Sequence, residues 1–113
     1  MIMIVDDNPD IRAIIRQHVG QARLAEIVVD CADGEQAVKE YRRFRPDWVL
    51  MDIKMEGMDG FGAARTILAE FPAAQILFVT NFDDPAMREA ARRSGVKGYV
   101  TKDRLSELKS FLG

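Results

Sequence analysis

Hydrophobic and polar positions alternate along this chain between two regimes: short unbroken apolar runs, and longer stretches in which apolar residues recur every three or four positions. Met1–Val5, Trp48–Met51 and Gln75–Val79 belong to the first kind. Runs this short, flanked by polar turns, predict strands covered on both faces, as in a parallel sheet. Glu26–Cys31, rich in β-branched residues, and Lys97–Val100 predict two more. The second regime fills the gaps. Ile11, Ile14, Ile15 and Val19 predict a first helix, capped by Asn8, entered through Pro9 and ended by Gly20. Ala37, Val38, Tyr41 and Phe44 form the inward stripe of a second, started by Ala32-Asp33-Gly34. Phe61, Ala64, Ile67, Leu68 and Phe71 mark a third, ended at Pro72. Asp83-Asp84-Pro85 opens a fourth with only Met87, Ala90 and Ala91 inward, and Gly95 stops it. Leu105, Leu108, Phe111 and Leu112 give the last. Five strands alternating with five helices predict a doubly wound α/β domain on a parallel sheet, spanning residues 1–113 as one unit.

Composition narrows the chemistry. The 113 residues are 48% hydrophobic and 30% charged, which suits one core, and a net charge of −2 gives no support to direct nucleic-acid binding. No apolar run approaches the ~20 residues that span a bilayer, and the first residues carry no signal-peptide pattern, so a cytoplasmic location is expected. Cys31 is the single cysteine, which excludes an internal disulfide, and His18 is the single histidine. Together they exclude a Cys/His zinc site and leave little room for nucleophile–histidine catalysis. His18, near a helix carboxyl end, reads as a dipole partner. Lys39, Glu40, Arg42 and Arg43, like Arg88, Glu89, Arg92 and Arg93, read as solvated helix faces, the second set also as a candidate partner surface.

The carboxyl ends of the predicted strands carry Asp6 and Asp7, Asp52, Thr80 and Lys102. In an open parallel sheet these ends share one edge, where ligands bind. Carboxylates brought together there must be protonated, paired or held by a cation, and oxygen donors suit Mg²⁺. A hydroxyl and an ammonium beside them suit the oxygens of a transferred phosphoryl group.

Val5-Asp6-Asp7-Asn8, Met51-Asp52, Met55 with Met58-Asp59-Gly60, Val79-Thr80 and Gly98-Tyr99-Val100-Thr101-Lys102 give the chain, over essentially its whole length, a resemblance to the receiver domains of bacterial two-component response regulators. Thr80-Asn81-Phe82-Asp83-Asp84 and the stretch ending Lys102-Asp103 look most like those of LuxR-type transcription regulators. The resemblance implies a flavodoxin-like strand order 2-1-3-4-5, with Asp52 as the phosphoacceptor served by a sensor histidine kinase. It implies that Asp7, Asp52 and the main-chain carbonyl of Lys54 bind Mg²⁺, with Asp6 acting through water. Thr80 and Lys102 would contact the phosphoryl oxygens, and Tyr99 would be the aromatic whose rotamer follows Thr80. Lys54 and Phe82 would flank the path of the water that removes the phosphoryl group. A helix 4 and strand 5 shift, phosphorylation-enhanced self-association and transcriptional output are the implied consequences. The chain stops at Gly113, after the last predicted helix, so an excised amino-terminal receiver or a stand-alone one is expected. Two positions depart from the family: Glu56 and Asp103 stand where Pro is usual.

Other functions fit less well. A haloacid-dehalogenase-type hydrolase wants a second acid two residues after its nucleophile, where this chain has Lys54. A flavin binder wants a hydroxyl- and glycine-rich loop after strand one, where Asp6 and Asp7 would repel a phosphate. A non-phosphorylatable interaction module would not need the five groups gathered here.

Overall fold

The computed structural model describes residues 1–20 and 27–112. The strands β1 (Ile2–Val5), β2 (Val28–Cys31), β3 (Trp48–Met51), β4 (Ile76–Thr80) and β5 (Gly98–Thr101) form one parallel sheet in the order β2-β1-β3-β4-β5. Glu26, expected to begin the second strand, lies outside the described residues, and Ile27 precedes the strand. The helices α1 (Pro9–Val19), α2 (Gly34–Phe44), α3 (Gly60–Glu70) and α4 (Pro85–Ser94) follow the expected stretches. The last expected helix is different: Lys102–Glu107 form a 3₁₀ segment, kinked at Arg104, and only Leu108–Leu112 (α5) are α-helical.

Side-chain alternation sorts the strands' apolar residues into two cores. Met3, Val5, Val49, Met51, Ile76 and Phe78 face Ala37, Val38 and Tyr41 of α2, Ala63, Ala64 and Ile67 of α3, and Ala91 of α4. Ile2, Ile4, Trp48, Leu50, Leu77, Val79 and Val100 face Ile15 and Val19 of α1, with Leu105, Leu108 and Leu112. Both faces are covered, which is why β1 and β3 are apolar at every position of the pleat and β4 at every position before Thr80. Three residues expected inward are not: Ile14, Phe44 and Ala90 lie on exposed flanks of their helices. Ile14 and Ala90 each sit one position before a buried residue, Ile15 and Ala91, whereas Phe44 keeps the spacing of the stripe but is the last residue of α2, where the helix runs out of contact.

The helix starts that aim at the site edge share one chemistry. Asn8, Asp33, Asp59 and Asp84 each accept a hydrogen bond from a backbone N–H of the first turn. Gly95, with φ +90°, ends α4 in the left-handed conformation that glycine adopts without a Cβ penalty. At the end of α2 the same role falls to Arg45, φ 48°, whose amide donates to the Tyr41 carbonyl at 2.8 Å.

Candidate functional site

β1, β3, β4 and β5 run in register toward one edge. Ile4 lies opposite Leu50, Leu50 opposite Leu77, and Thr80 opposite Thr101. The next residue of each strand therefore emerges in the same crevice. Asp6 and Asp52 are buried there and Asp7 is exposed, and one carboxylate oxygen from each lies within 4.8 Å of the others. Asp6 Oδ1 accepts from the Asn8 amide at 2.9 Å, and Asp52 Oδ1 from the Ile53 amide at 2.8 Å. Lys102, from the start of the 3₁₀ segment, places Nζ 2.8 Å from Asp6 Oδ2 and 3.3 Å from Asp52 Oδ2. The contact with Asp52 has hydrogen-bond geometry, whereas Asp6 Oδ2 is buried without a hydrogen-bond partner. The shorter Asp6 contact is thus one of charge alone.

These groups perturb one another. Burial pushes the Asp52 carboxyl above the usual carboxylate range and Asp6 pushes the same way, against the nearby Lys102 charge. Burial also disfavours the Lys102 ammonium, but its close contact with Asp6 and the charge of Asp52 outweigh that, and its pKa is raised. Three carboxylates against one ammonium leave two negative charges in excess. Oxygen-only donors, that excess, and an orphaned buried oxygen on Asp6 fit a hard divalent cation.

The other expected residues surround this centre. Thr80 is the last residue of β4, fully buried on the α4 side with Ile76 and Phe78, and its Oγ1 accepts from the Phe82 amide at 3.3 Å. The hydroxyl proton remains available to a second acceptor. Tyr99 lies half-buried on β5, opposite Phe78, and its hydroxyl donates to the Phe82 carbonyl. Phe82 itself is exposed, with the Lys54 ammonium 5.8 Å from the centre of its ring. Lys54 and Glu56 line, with Asp7, Met55, Gly57 and Asp59, an open groove of 380 Å³ beside the acids. The loop is pressed onto Asp52 because Gly60 has no Cβ, which would otherwise strike the Asp52 carbonyl, and because the Gly60 amide donates to Ile53 O at 2.8 Å. The Lys102–Asp103 bond is trans, and the Asp103 carboxyl is held below its usual range, first by the Thr101 hydroxyl.

Two residues make contacts beside the site that the sequence reading did not foresee. Arg12 donates from Nη1 to the Asp6 carbonyl at 2.5 Å. Arg88, expected to be solvated, lays its guanidinium 4.6 Å from the centre of the Tyr99 ring and pairs with Asp83 at 2.8 Å. A periodicity argument assigns arginines to solvent and carries no signal for either contact.

A family model described as the response regulator receiver domain matches residues 2–112. The transcriptional regulatory protein DegU of Brevibacillus brevis is 30% identical, over 90% of this chain and 43% of its own length. The oxygen regulatory protein NreC of Staphylococcus aureus (strain JH9) is 34% identical, over 90% of this chain and 48% of its own. The chain therefore spans about half the length of the curated relatives it matches. Among solved structures, a LuxR-family two-component response regulator from Aurantimonas sp. SI85-9A1 superposes with a TM-score of 0.89 at 36% identity. That match covers 96% of this chain and 79% of the other.

Proposed function

Since the chain belongs to the response regulator receiver family, we propose that it is a phosphoacceptor switch, in which Asp52 takes a phosphoryl group from the histidine of a sensor kinase in the presence of Mg²⁺. The observation that carries this reading is the convergence of Asp6, Asp7 and Asp52 around the Lys102 ammonium at one sheet edge. A carboxylate oxygen of Asp52 attacks phosphorus in line. The new P–O bond forms as the P–N bond to the imidazole breaks, and the electron pair stays on the imidazole nitrogen, which takes up a proton. Asp7, Asp52 and the Lys54 carbonyl would hold Mg²⁺, with Asp6 supporting it through water, and the bound ion would offset the charge of the phosphoryl oxygens. Lys102 offsets further charge, and its contact with Asp52 brings it next to the acceptor oxygen. The Thr80 hydroxyl donates its free proton to a phosphoryl oxygen.

The consequence is a population shift. A Thr80 drawn toward the phosphoryl group moves the amide of Phe82 bonded to it, and with it the carbonyl that Tyr99 holds. Loop 81–84, α4 and β5 are repositioned together, which alters self-association and output. The output is transcriptional control in the cytoplasm, delivered by sequence beyond this receiver domain. That assignment agrees with the names of the relatives and with their doubled length.

The test is intact mass after treatment with a small acyl phosphate and Mg²⁺. The expected result is one added phosphoryl group, lost on chelation of the metal during treatment and absent from Asp52→Asn. Equal labelling of Asp52→Asn would refute the assignment.

A further inference from the structure

Arg12 makes a contact that neither the core nor the reaction explains. It lies in the second turn of α1, half-buried among polar neighbours, and reaches back six residues to donate from Nη1 to the Asp6 carbonyl at 2.5 Å. On its other side Nε is buried 4.0 Å from Asp30 Oδ2, beyond hydrogen-bond reach. Asp30 is held in turn by Arg16 at 2.7 Å. β1 has ended by this point. The Asp6 amide still bonds the Cys31 carbonyl, at 3.0 Å, but the carbonyl of Asp6 has left the ladder and receives the guanidinium instead.

That carbonyl belongs to the peptide joining Asp6 to Asp7. Fixing its plane fixes the direction in which the Asp7 side chain leaves the backbone. We infer that Arg12 is a positioning residue: its guanidinium, braced by Asp30, orients the Asp6–Asp7 peptide so that Asp7 meets Asp6 and Asp52 at the cation site. The inference rests on the cation site proposed above. A charged donor on a desolvated carbonyl is a strong hydrogen bond, and Asp7, exposed and on a loop, has little else to hold it.

Charge and position make opposite demands here, which allows a clean test. A guanidinium beside an acidic cluster repels a cation, so its removal for charge reasons alone tightens Mg²⁺ binding. Its removal for positional reasons loosens it. Mg²⁺ affinity is therefore measured by amide NMR titration of the parent, Arg12→Met, Arg12→Gln and Arg12→Lys, with folded state checked by circular dichroism. Arg12→Met is expected to bind about tenfold more weakly, the scale seen when a group orienting a metal ligand is lost. Arg12→Lys, which keeps one donor and the charge, is expected to fall between Met and the parent. If Arg12→Met does not fold, Arg12→Gln decides the matter, since it is neutral and two bonds too short to reach the carbonyl. Binding as tight as the parent's or tighter in the folded neutral variant overturns the positioning role. A parent that binds no Mg²⁺, or an Asp7→Asn variant that binds as well as the parent, overturns the cation site itself.

Discussion

Asp52 is 7% exposed and shares one ammonium with Asp6, so its ionised form is held at a cost to the fold. Burial raises its pKa above the unfolded value of 3.8. Between those two values the folded chain binds more protons than the unfolded one, so stability falls as pH rises through that window and stays reduced above it. Asp52→Asn removes the penalty. It is expected to melt higher than the parent at neutral pH, with the gap narrowing as pH falls through the folded pKa toward 4; a constant gap in thermal melts at both pH values would contradict this account. We propose that Phe82 and Lys54 set the lifetime of the phosphoryl group. The ring is exposed, the Lys54 ammonium stands 5.8 Å from its centre, and neither side chain offers a base to a water. Slow self-dephosphorylation is expected. Phe82→Ala and Phe82→Glu should speed the first-order decay of phosphorylated protein by about tenfold, equivalent to ~1.4 kcal/mol of barrier. Unchanged decay in both would remove the shielding role.

At the scale of elements, α4 is the loosely held part. Only Ala91 is buried in it, and its ion pairs, Arg88–Asp83 and Glu89 with Arg92 and Arg93, are exposed. Such pairs contribute little each, and the small apolar face lowers the free energy of local opening. What holds the preceding loop is specific. Phe82 donates to Thr80 and accepts from Tyr99, while Arg88 ties Asp83 to the Tyr99 ring. Tyr99→Phe keeps the ring under Arg88 and removes only the bond to the Phe82 carbonyl. Amide hydrogen exchange over 85–94 should then quicken while that of β4 stays as in the parent. Identical exchange over α4 would show that the bond holds nothing.

At the scale of the whole molecule, a rigid centre carries a movable edge. β1, β3 and β4 are buried almost completely, whereas β5 and α4 lie at the side of the sheet, with Gly98 and Tyr99 half-exposed. In the proposed switch, a change at Thr80 would be transmitted outward, because the inner strands have nowhere to go. The exposed α4–β5 side would be the surface it alters. Sedimentation velocity with and without beryllofluoride is expected to show weak, phosphomimetic-dependent self-association, and an unchanged profile at high concentration would sink that consequence. None of the described helices is long and apolar enough to cross a membrane.

The chain's own pattern determined the alternation of strands and helices, the polar caps at Asn8 and Asp84, and the gathering of Asp6, Asp7, Asp52, Thr80 and Lys102 at one edge. These are local or topological facts: a capping side chain reaches only its own first turn, and every parallel strand ends on the same side. The sheet order came from the family resemblance, because periodicity does not say which buried strand is central. Leu105, Leu108, Phe111 and Leu112 fitted one α-helical stripe, yet only Leu108–Leu112 are α-helical and Leu105 lies in the 3₁₀ segment, a division that residues spaced by three leave open. Tertiary structure alone decided that Ile14, Phe44 and Ala90 face outward, that Lys102 lies closer to Asp6 than to Asp52, that Arg12 reaches the Asp6 carbonyl, and that Arg88, while exposed, lies against the Tyr99 ring. A long polar side chain can reach solvent or a buried carbonyl equally well from the same helix position. Which it does depends on what a distant segment brings within reach, and that information is absent from spacing.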